Sequence, residues 1–177
     1  GEGERGTGNY ALFHGNLSVV ENENAVRYIV NELWDDSCGL KLVVAGKDPS
    51  ESFKNWLASQ SFEITCIPNP ENEQLNSLIR EAKINLLPTT QNTGIKHKLL
   101  NALANGGYCI ANTMMVEGTG LEDLCHIANT VDEWKTMIAK LAEEPNNTKL
   151  FEERTAKLKA IFDLEVNARL ILELTKG

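Results

Sequence analysis

Ile84-Asn85-Leu86-Leu87-Pro88-Thr89-Thr90-Gln91-Asn92-Thr93-Gly94-Ile95-Lys96-His97-Lys98-Leu99-Leu100-Asn101-Ala102-Leu103-Ala104-Asn105-Gly106 is the stretch whose reading decides the fold. Ile84 to Leu87 is an apolar run of strand length. It leads into a polar loop, and the loop turns into a helix that starts near Gly94 and ends at Asn105-Gly106. At roughly 100° per residue, Gly94, Lys98, Asn101 and Asn105 share one stripe of that helix. Ile95, Leu99, Ala102 and Leu103 share another, which faces a sheet. A helix N-terminus, a lysine and an amide therefore point the same way beside the carboxyl end of a strand. Open α/β sheets bind ligands there, and helix N-termini favour anions.

The charge pattern agrees. The chain holds 17 Lys and Arg against 25 Asp and Glu, a formal net charge of −8. No Asp or Glu occurs between Glu81 and Glu117, while Lys83, Lys96 and Lys98 fall inside that window. The window is locally positive in an acidic chain. The overall charge argues against nonspecific nucleic-acid binding.

Working outward, strands alternate with helices six times. Tyr10 to His14 is a short apolar strand that ends in Gly15-Asn16-Leu17-Ser18, with Asn22 or Asn24 expected to cap the helix that follows. Leu40 to Ala45 is a continuous aliphatic run, as in a parallel strand covered on both faces. It stops at Gly46-Lys47-Asp48-Pro49, and Ser50 caps the next helix. Phe62 to Ile67 reads as a third strand, followed by Pro68-Asn69-Pro70 and a helix from about Glu71 to Ala82. Tyr108 to Ala111 and Cys125 to Ala128 follow the central helix as strands. Gly118 and Gly120 flank Thr119 in a tight turn whose N–H groups can cradle an anion. Val131 to Glu144 is an amphipathic helix with Trp134, Ile138 and Leu141 inward. Phe151 to Phe162 and Leu164 to Leu174 read as two further helices. The fold class expected is α/β, a doubly wound parallel sheet of about six strands with flanking helices. Residues 1–9 read as a flexible lead-in or linker, and residues 10–177 as one domain.

The four cysteines, Cys38, Cys66, Cys109 and Cys125, lack metal-type spacing and read as buried free thiols of a reducing compartment. No apolar run approaches the roughly 20 residues of a membrane span, and no signal-peptide pattern opens the sequence.

The central stretch also resembles a known family. Bacterial glycosyltransferases of the GT-B fold carry a Pro-Ser/Thr…Gly…Leu-Leu-Glu-Ala-Met-Ala-x-Gly segment in their C-terminal, donor-binding domain. Here the matching residues are Pro88-Thr89, Gly94 and Leu99-Leu100-Asn101-Ala102-Leu103-Ala104-Asn105-Gly106. The Gly15-Asn16-Leu17 end of the first strand is similar to the family's Gly-Asn-Leu or Gly-Arg-Leu. The resemblance implies a Rossmann-like domain, one half of a GT-B enzyme, that binds a nucleotide diphosphate sugar. The implied activity is that of a hexosyltransferase in cell-surface polysaccharide synthesis, acting on a saccharide or lipid-linked acceptor.

The residues implied for the donor are Gly15, Asn16, Thr93, Gly94, Ile95, Lys98, Asn101, Gly118, Thr119 and Gly120. Ile67 and Pro68 are either base contacts or ordinary turn residues. Lys47 is either a second phosphate contact or a solvated loop lysine. Lys98 is the residue expected on the phosphates, with Lys96 on the surface and His97 between them. No catalytic residue is assigned. No metal or other cofactor is expected, because the family stabilises its leaving group with cations and helix N-termini and no Asp-x-Asp motif occurs.

The implied partner is an N-terminal acceptor-binding domain that this chain does not contain. Peripheral membrane association would come through that absent half, in the cytoplasm at the inner face of a membrane. Two positions depart from the family pattern. Thr93 and Asn101 stand where many members carry glutamates. This leaves a second reading open, a degenerate GT-B domain that binds nucleotide, sugar or a partner protein without catalysis.

Overall fold

The computed structural model describes residues 4–90 and 96–175. The strands are β1 (Tyr10–Asn16), β2 (Lys41–Lys47), β3 (Ile64–Pro68), β4 (Ile84–Leu87), β5 (Tyr108–Ala111) and β6 (His126–Ile127). All pair in parallel in the order β3-β2-β1-β4-β5-β6. The helices are α1 (Val20–Tyr28), α2 (Glu51–Ala58), α3 (Asn72–Glu81), α4 (Lys96–Asn105), α5 (Thr113–Val116), α6 (Val131–Glu143) and α7 (Thr148–Thr175). This is the doubly wound architecture expected from the alternation of runs.

Period-2 alternation along the strands divides the core between the two faces. Ala11, Phe13, Leu42, Val44, Ile84 and Leu86 face one side, against Val26 of α1, Phe53 of α2 and Trp134 of α6. Leu12, Val43, Ala45, Leu87 and Cys109 face the other, against Ile79 of α3 and Leu99, Ala102 and Leu103 of α4. Ser50 caps α2 as expected, its Oγ accepting the Phe53 N–H at 3.1 Å. Trp134, Ile138 and Leu141 are buried on the inner face of α6.

Several boundaries differ from the sequence reading. α1 is not capped by Asn22 or Asn24; it begins at Val20 without a side-chain cap. It ends in a π-helical turn over Ile29–Leu33 that buries Ile29, Val30 and Leu33 together. The two C-terminal helices are one, because Asp163 carries no helix-breaking signal and α7 runs through it. Only Cys109 is fully buried; Cys38, Cys66 and Cys125 are half-buried.

The lead-in also differs. From residue 4 onward it is docked, not loose. The N–H groups of Gly6 and Gly8 donate to the Arg80 and Glu81 carbonyls at 2.8 and 2.7 Å. Arg5 donates to the carbonyls of Leu103, Gly106 and Phe151 and to Thr155 Oγ1. Arg154, 4% exposed, donates to the carbonyls of Ala102, Leu103 and Gly106. Two guanidinium groups thus occupy the carbonyls at the end of α4, where the helix dipole favours cations.

One backbone approach is too close for any side chain. Gly15 and Gly46 are register partners on β1 and β2. A Cβ at Gly46 would land on the Gly15 carbonyl oxygen. We expect Gly46→Ala to force the two strand ends apart and cost about 3 kcal/mol, the upper part of the overpacking range. Urea unfolding measures this, and an unchanged midpoint would mean that the strand ends are not so tightly apposed.

Candidate functional site

β1 stays paired with β2 to the Asn16–Lys47 register, but it pairs with β4 only at Ala11–Ile84 and Leu12–Asn85. Beyond Leu12 the sheet parts. This is also where the strand order reverses, the place at which doubly wound sheets take ligands.

Lys98 fills the parting. It rises from α4, whose inner residues pack on the Leu12 and Leu87 layer. Yet its Nζ lies 4.7 Å from the ring centroid of Phe13, which belongs to the opposite layer. The side chain therefore passes between β1 and β4. A Cβ on Gly15 would sit 2.9 Å from the Lys98 Nζ and 3.1 Å from Asn22 Cγ. With glycine at position 15 the ammonium and the Asn22 amide lie against the bare strand end.

The surroundings of that ammonium are unusual. Lys98 as a whole is half-buried, and burial pushes its pKa down to about 8. No carboxylate among the described residues pairs with it. Its partners are an aromatic face, a contact of the cation–π kind, and a neutral histidine. Burial first, and Lys98 second, bring His14 down to about 3. His14 is 9% exposed, and its Nε2 has no hydrogen-bond partner among the described residues. A cation held out of water without a counter-ion gains more from an incoming anion than a solvated one would.

Asparagines tie the neighbouring strand ends together. The Thr89 N–H donates to Asn112 Oδ1 at 3.1 Å, and Asn112 Nδ2 donates back to the Thr89 carbonyl at 2.5 Å. The Thr113 N–H donates to Asn129 Oδ1 and Asn129 Nδ2 to Thr113 Oγ1, both at 2.9 Å. The N–H groups of Asn129 and Thr130 donate to the Glu133 carboxylate, which closes a capping box at the start of α6. At β1, Asn16 Oδ1 accepts from the Ser18 N–H and Oγ, while Asn22 Nδ2 donates to the Asn16 carbonyl.

Two cavities flank the Gly15–Lys98 contact. One, of about 350 Å³, runs between α1 and α6 and is bordered by Lys98, Asn24, Tyr28, Thr89, Asn112 and Asn129 among others. The other, of about 460 Å³, lies over the ends of β1 to β3 and is bordered by His14, Gly15, Lys47, Asn69 and Asn72 among others.

Of the residues singled out from sequence, Gly15, Asn16 and Lys98 come together here. Lys47 is exposed and borders the second cavity. Ile67 packs towards the α3–α4 layer, and Pro68 is exposed beside it; Asn69, Pro70 and Asn72 border the cavity in their place. Asn101 does not border the Lys98 cavity. It accepts from Asn105 Nδ2 at 2.8 Å and lines a separate apolar groove against α7. Gly118 and Gly120 adopt positive φ of 76° and 72°, as a tight turn requires. Thr119 Oγ1 is held within that turn, donating to the Val116 carbonyl and accepting the Leu121 N–H. His97 is exposed. Thr93, Gly94 and Ile95 lie outside the described residues.

Sequence reasoning missed His14, Asn112 and Asn129 as parts of the site. A usable signal was present, since asparagine recurs at the ends of β1, β5 and β6 as Asn16, Asn112 and Asn129.

The sheet is doubly wound, and a partly desolvated lysine stands at its switch point. The chain belongs to the glycosyl transferases group 1 family, whose model matches residues 8–144. No curated protein matches it. Solved structures do. TarM matches with a TM-score of 0.64 at 8% identity, over 93% of this chain and 35% of its own. An α,α-trehalose-phosphate synthase (UDP-forming) from Burkholderia vietnamiensis matches with a TM-score of 0.59 at 15% identity, over 97% of this chain and 44% of its own. OtsA in an apo structure matches with 0.57 at 11% identity, over 91% and 40%. At such identities the likeness concerns the fold, that of one half of a GT-B enzyme. The chain spans less than half the length of each of these structures.

The lowered pKa sets a pH dependence. Below about 8 the free protein carries a charged Lys98, which is the form that holds an anion; above it the proton must be taken up on binding. We expect pyrophosphate affinity to fall as pH rises through 8, by up to about tenfold per unit. Lys98→Met should bind weakly with no inflection there. Calorimetry across pH 6.5–9.5 measures both, and a wild-type inflection that survives in Lys98→Met would assign the effect to another group.

Proposed function

We propose that this chain is the donor-binding domain of a glycosyltransferase that moves a sugar from a nucleotide diphosphate sugar to a saccharide or lipid-linked acceptor in cell-surface polysaccharide synthesis. The observation that carries the proposal is the Lys98 ammonium, lodged against Gly15 and Phe13 at the parting of β1 and β4 without a carboxylate among the described residues. A departing nucleoside diphosphate gains negative charge on its phosphate oxygens. A cation fixed in a partly dehydrated site stabilises that charge without having to reorganise. Gly15 leaves the ammonium in close contact with the strand end, beside which the phosphates would lie. On this reading the donor needs no metal, and the acceptor and any general base belong to an N-terminal domain outside this chain.

The second reading, binding without transfer, is favoured by Asn101. It stands at one of the family's glutamate positions, yet it is bonded to Asn105 and turned to the groove beside α7.

Titration of the 15N-labelled chain with uridine and guanosine diphosphates tests the site. Shifts should cluster at Gly15, Asn16 and Lys98 to Asn101, and Lys98→Ala should weaken binding at least about tenfold, the value of one charge-assisted contact. Shifts elsewhere, or an unaffected mutant, would remove Lys98 from the phosphate role. Assayed alone with nucleotide sugar and acceptor, the chain should show no turnover. Turnover near that of a two-domain family member would overturn the assignment of catalysis to another domain.

A further inference from the structure

The Gly15–Lys98 contact lies between two cavities, and a nucleotide diphosphate sugar is a ligand with two arms on a central diphosphate. Resting on the donor-site reading above, with the nucleoside over β1 to β3 as the family resemblance implies, we infer that the cavity between α1 and α6 receives the sugar arm and selects an uncharged sugar.

The linings differ in a way that orders the arms. The α1–α6 cavity is the more enclosed one. It combines one aromatic hydroxyl, Tyr28, with the amides of Asn24, Asn112 and Asn129 and the Thr89 and Thr90 segment. Tyr28 is half-buried, so its ring can lie along the face of a pyranose while its hydroxyl stays available to a sugar hydroxyl. Asn112 and Asn129 are held in place by the strand-end ladder, so the wall is rigid before ligand arrives. The β1–β3 cavity instead offers a neutral histidine and the exposed Lys47 beside Asn69 and Asn72, over an open rim.

The charge argument fixes the class of sugar. Among the described residues bordering the α1–α6 cavity, Lys98 is the one cation, and the diphosphate engages it. The remaining polar side-chain groups there are amides, hydroxyls, the Trp134 indole N–H and the Glu21 carboxylate. A sugar bearing its own carboxylate would bring a further negative charge with no basic side chain among those residues to meet it. Desolvating such a group without a partner is costly. Hydroxyls and N-acyl groups find both donors and acceptors in the same wall.

The test uses the 177-residue chain and the nucleoside diphosphate, uridine or guanosine, that binds it. A matched pair of sugar nucleotides is built on that base, one with a neutral hexose and one with the corresponding uronic acid. The neutral sugar nucleotide should add shifts at Asn24, Tyr28 and Asn129 that the nucleoside diphosphate alone does not produce. The uronate should bind at least about tenfold more weakly than its neutral counterpart. Asn24→Trp, at an exposed position on the cavity mouth, should weaken the neutral sugar nucleotide about tenfold and leave the nucleoside diphosphate unchanged. Ala25→Leu, which fills the cavity from within, provides an independent second variant, with thermal melts confirming that each is folded.

Equal binding of uronate and neutral sugar overturns the charge selection. Sugar-dependent shifts confined to Asn69 and Asn72 reverse the two arms and overturn the placement. In both cases the donor-site reading stands, because the nucleoside diphosphate still binds. If neither nucleoside diphosphate binds, the donor-site reading falls and this inference falls with it.

Discussion

The ammonium of Lys98 is held where water would normally be preferred. It rests on the face of Phe13, beside a neutral His14 and against a strand end made of glycine. Much of the surrounding architecture serves that placement. β1 must separate from β4 after Leu12 to let the side chain through. Gly15 leaves the ammonium in close contact with the strand end, and Gly46 must lack a side chain to let β2 stay paired behind Gly15. The far end of α4 is fixed by Arg5 and Arg154, so the helix that carries the lysine is anchored at the end opposite its working end. The contact with Phe13 offsets part of the desolvation cost; anion binding would offset the rest.

Much of the fold could be read from the chain, for identifiable physical reasons. Runs such as Leu40 to Ala45 and Ile84 to Leu87 are apolar on both faces, and only a sheet covered on two sides buries them fully. The inner stripe of α4, with Leu99, Ala102 and Leu103, follows directly from helical period. Lys98 was reachable by the same geometry, since it lies in the first turn of α4, beside the carboxyl end of β4.

What was not legible depended on contacts between distant parts of the chain. Nothing local distinguishes Arg5 from a solvated residue in a glycine-rich segment, because its partners Leu103 and Gly106 are about a hundred positions away. His14 reads as the end of a strand, and only the packed sheet shows that it is buried next to a cation. Asn101 shares a helical stripe with Lys98, but α7 packs close to that side of α4 and draws the amide into its groove. Helical period gives a direction; it does not say which neighbour will be found there. Asn112 and Asn129 pair with backbone groups of adjacent loops, and loop conformation follows from the strand order only after the sheet is assembled.

The double guanidinium clasp also has a bearing on how the domain is made. One of its two arginines precedes α4 in the chain and the other follows it, and both close on the carbonyls that follow Asn101. During synthesis Arg5 is made before α4, but Arg154 is made only after the last strand of the sheet. Until then the carbonyls at the end of α4 lack the donors that Arg154 and Thr155 bring. Completion of the helix that presents Lys98 is therefore a late event in the life of the nascent chain, tied to the arrival of α7 and not to the closure of the sheet itself.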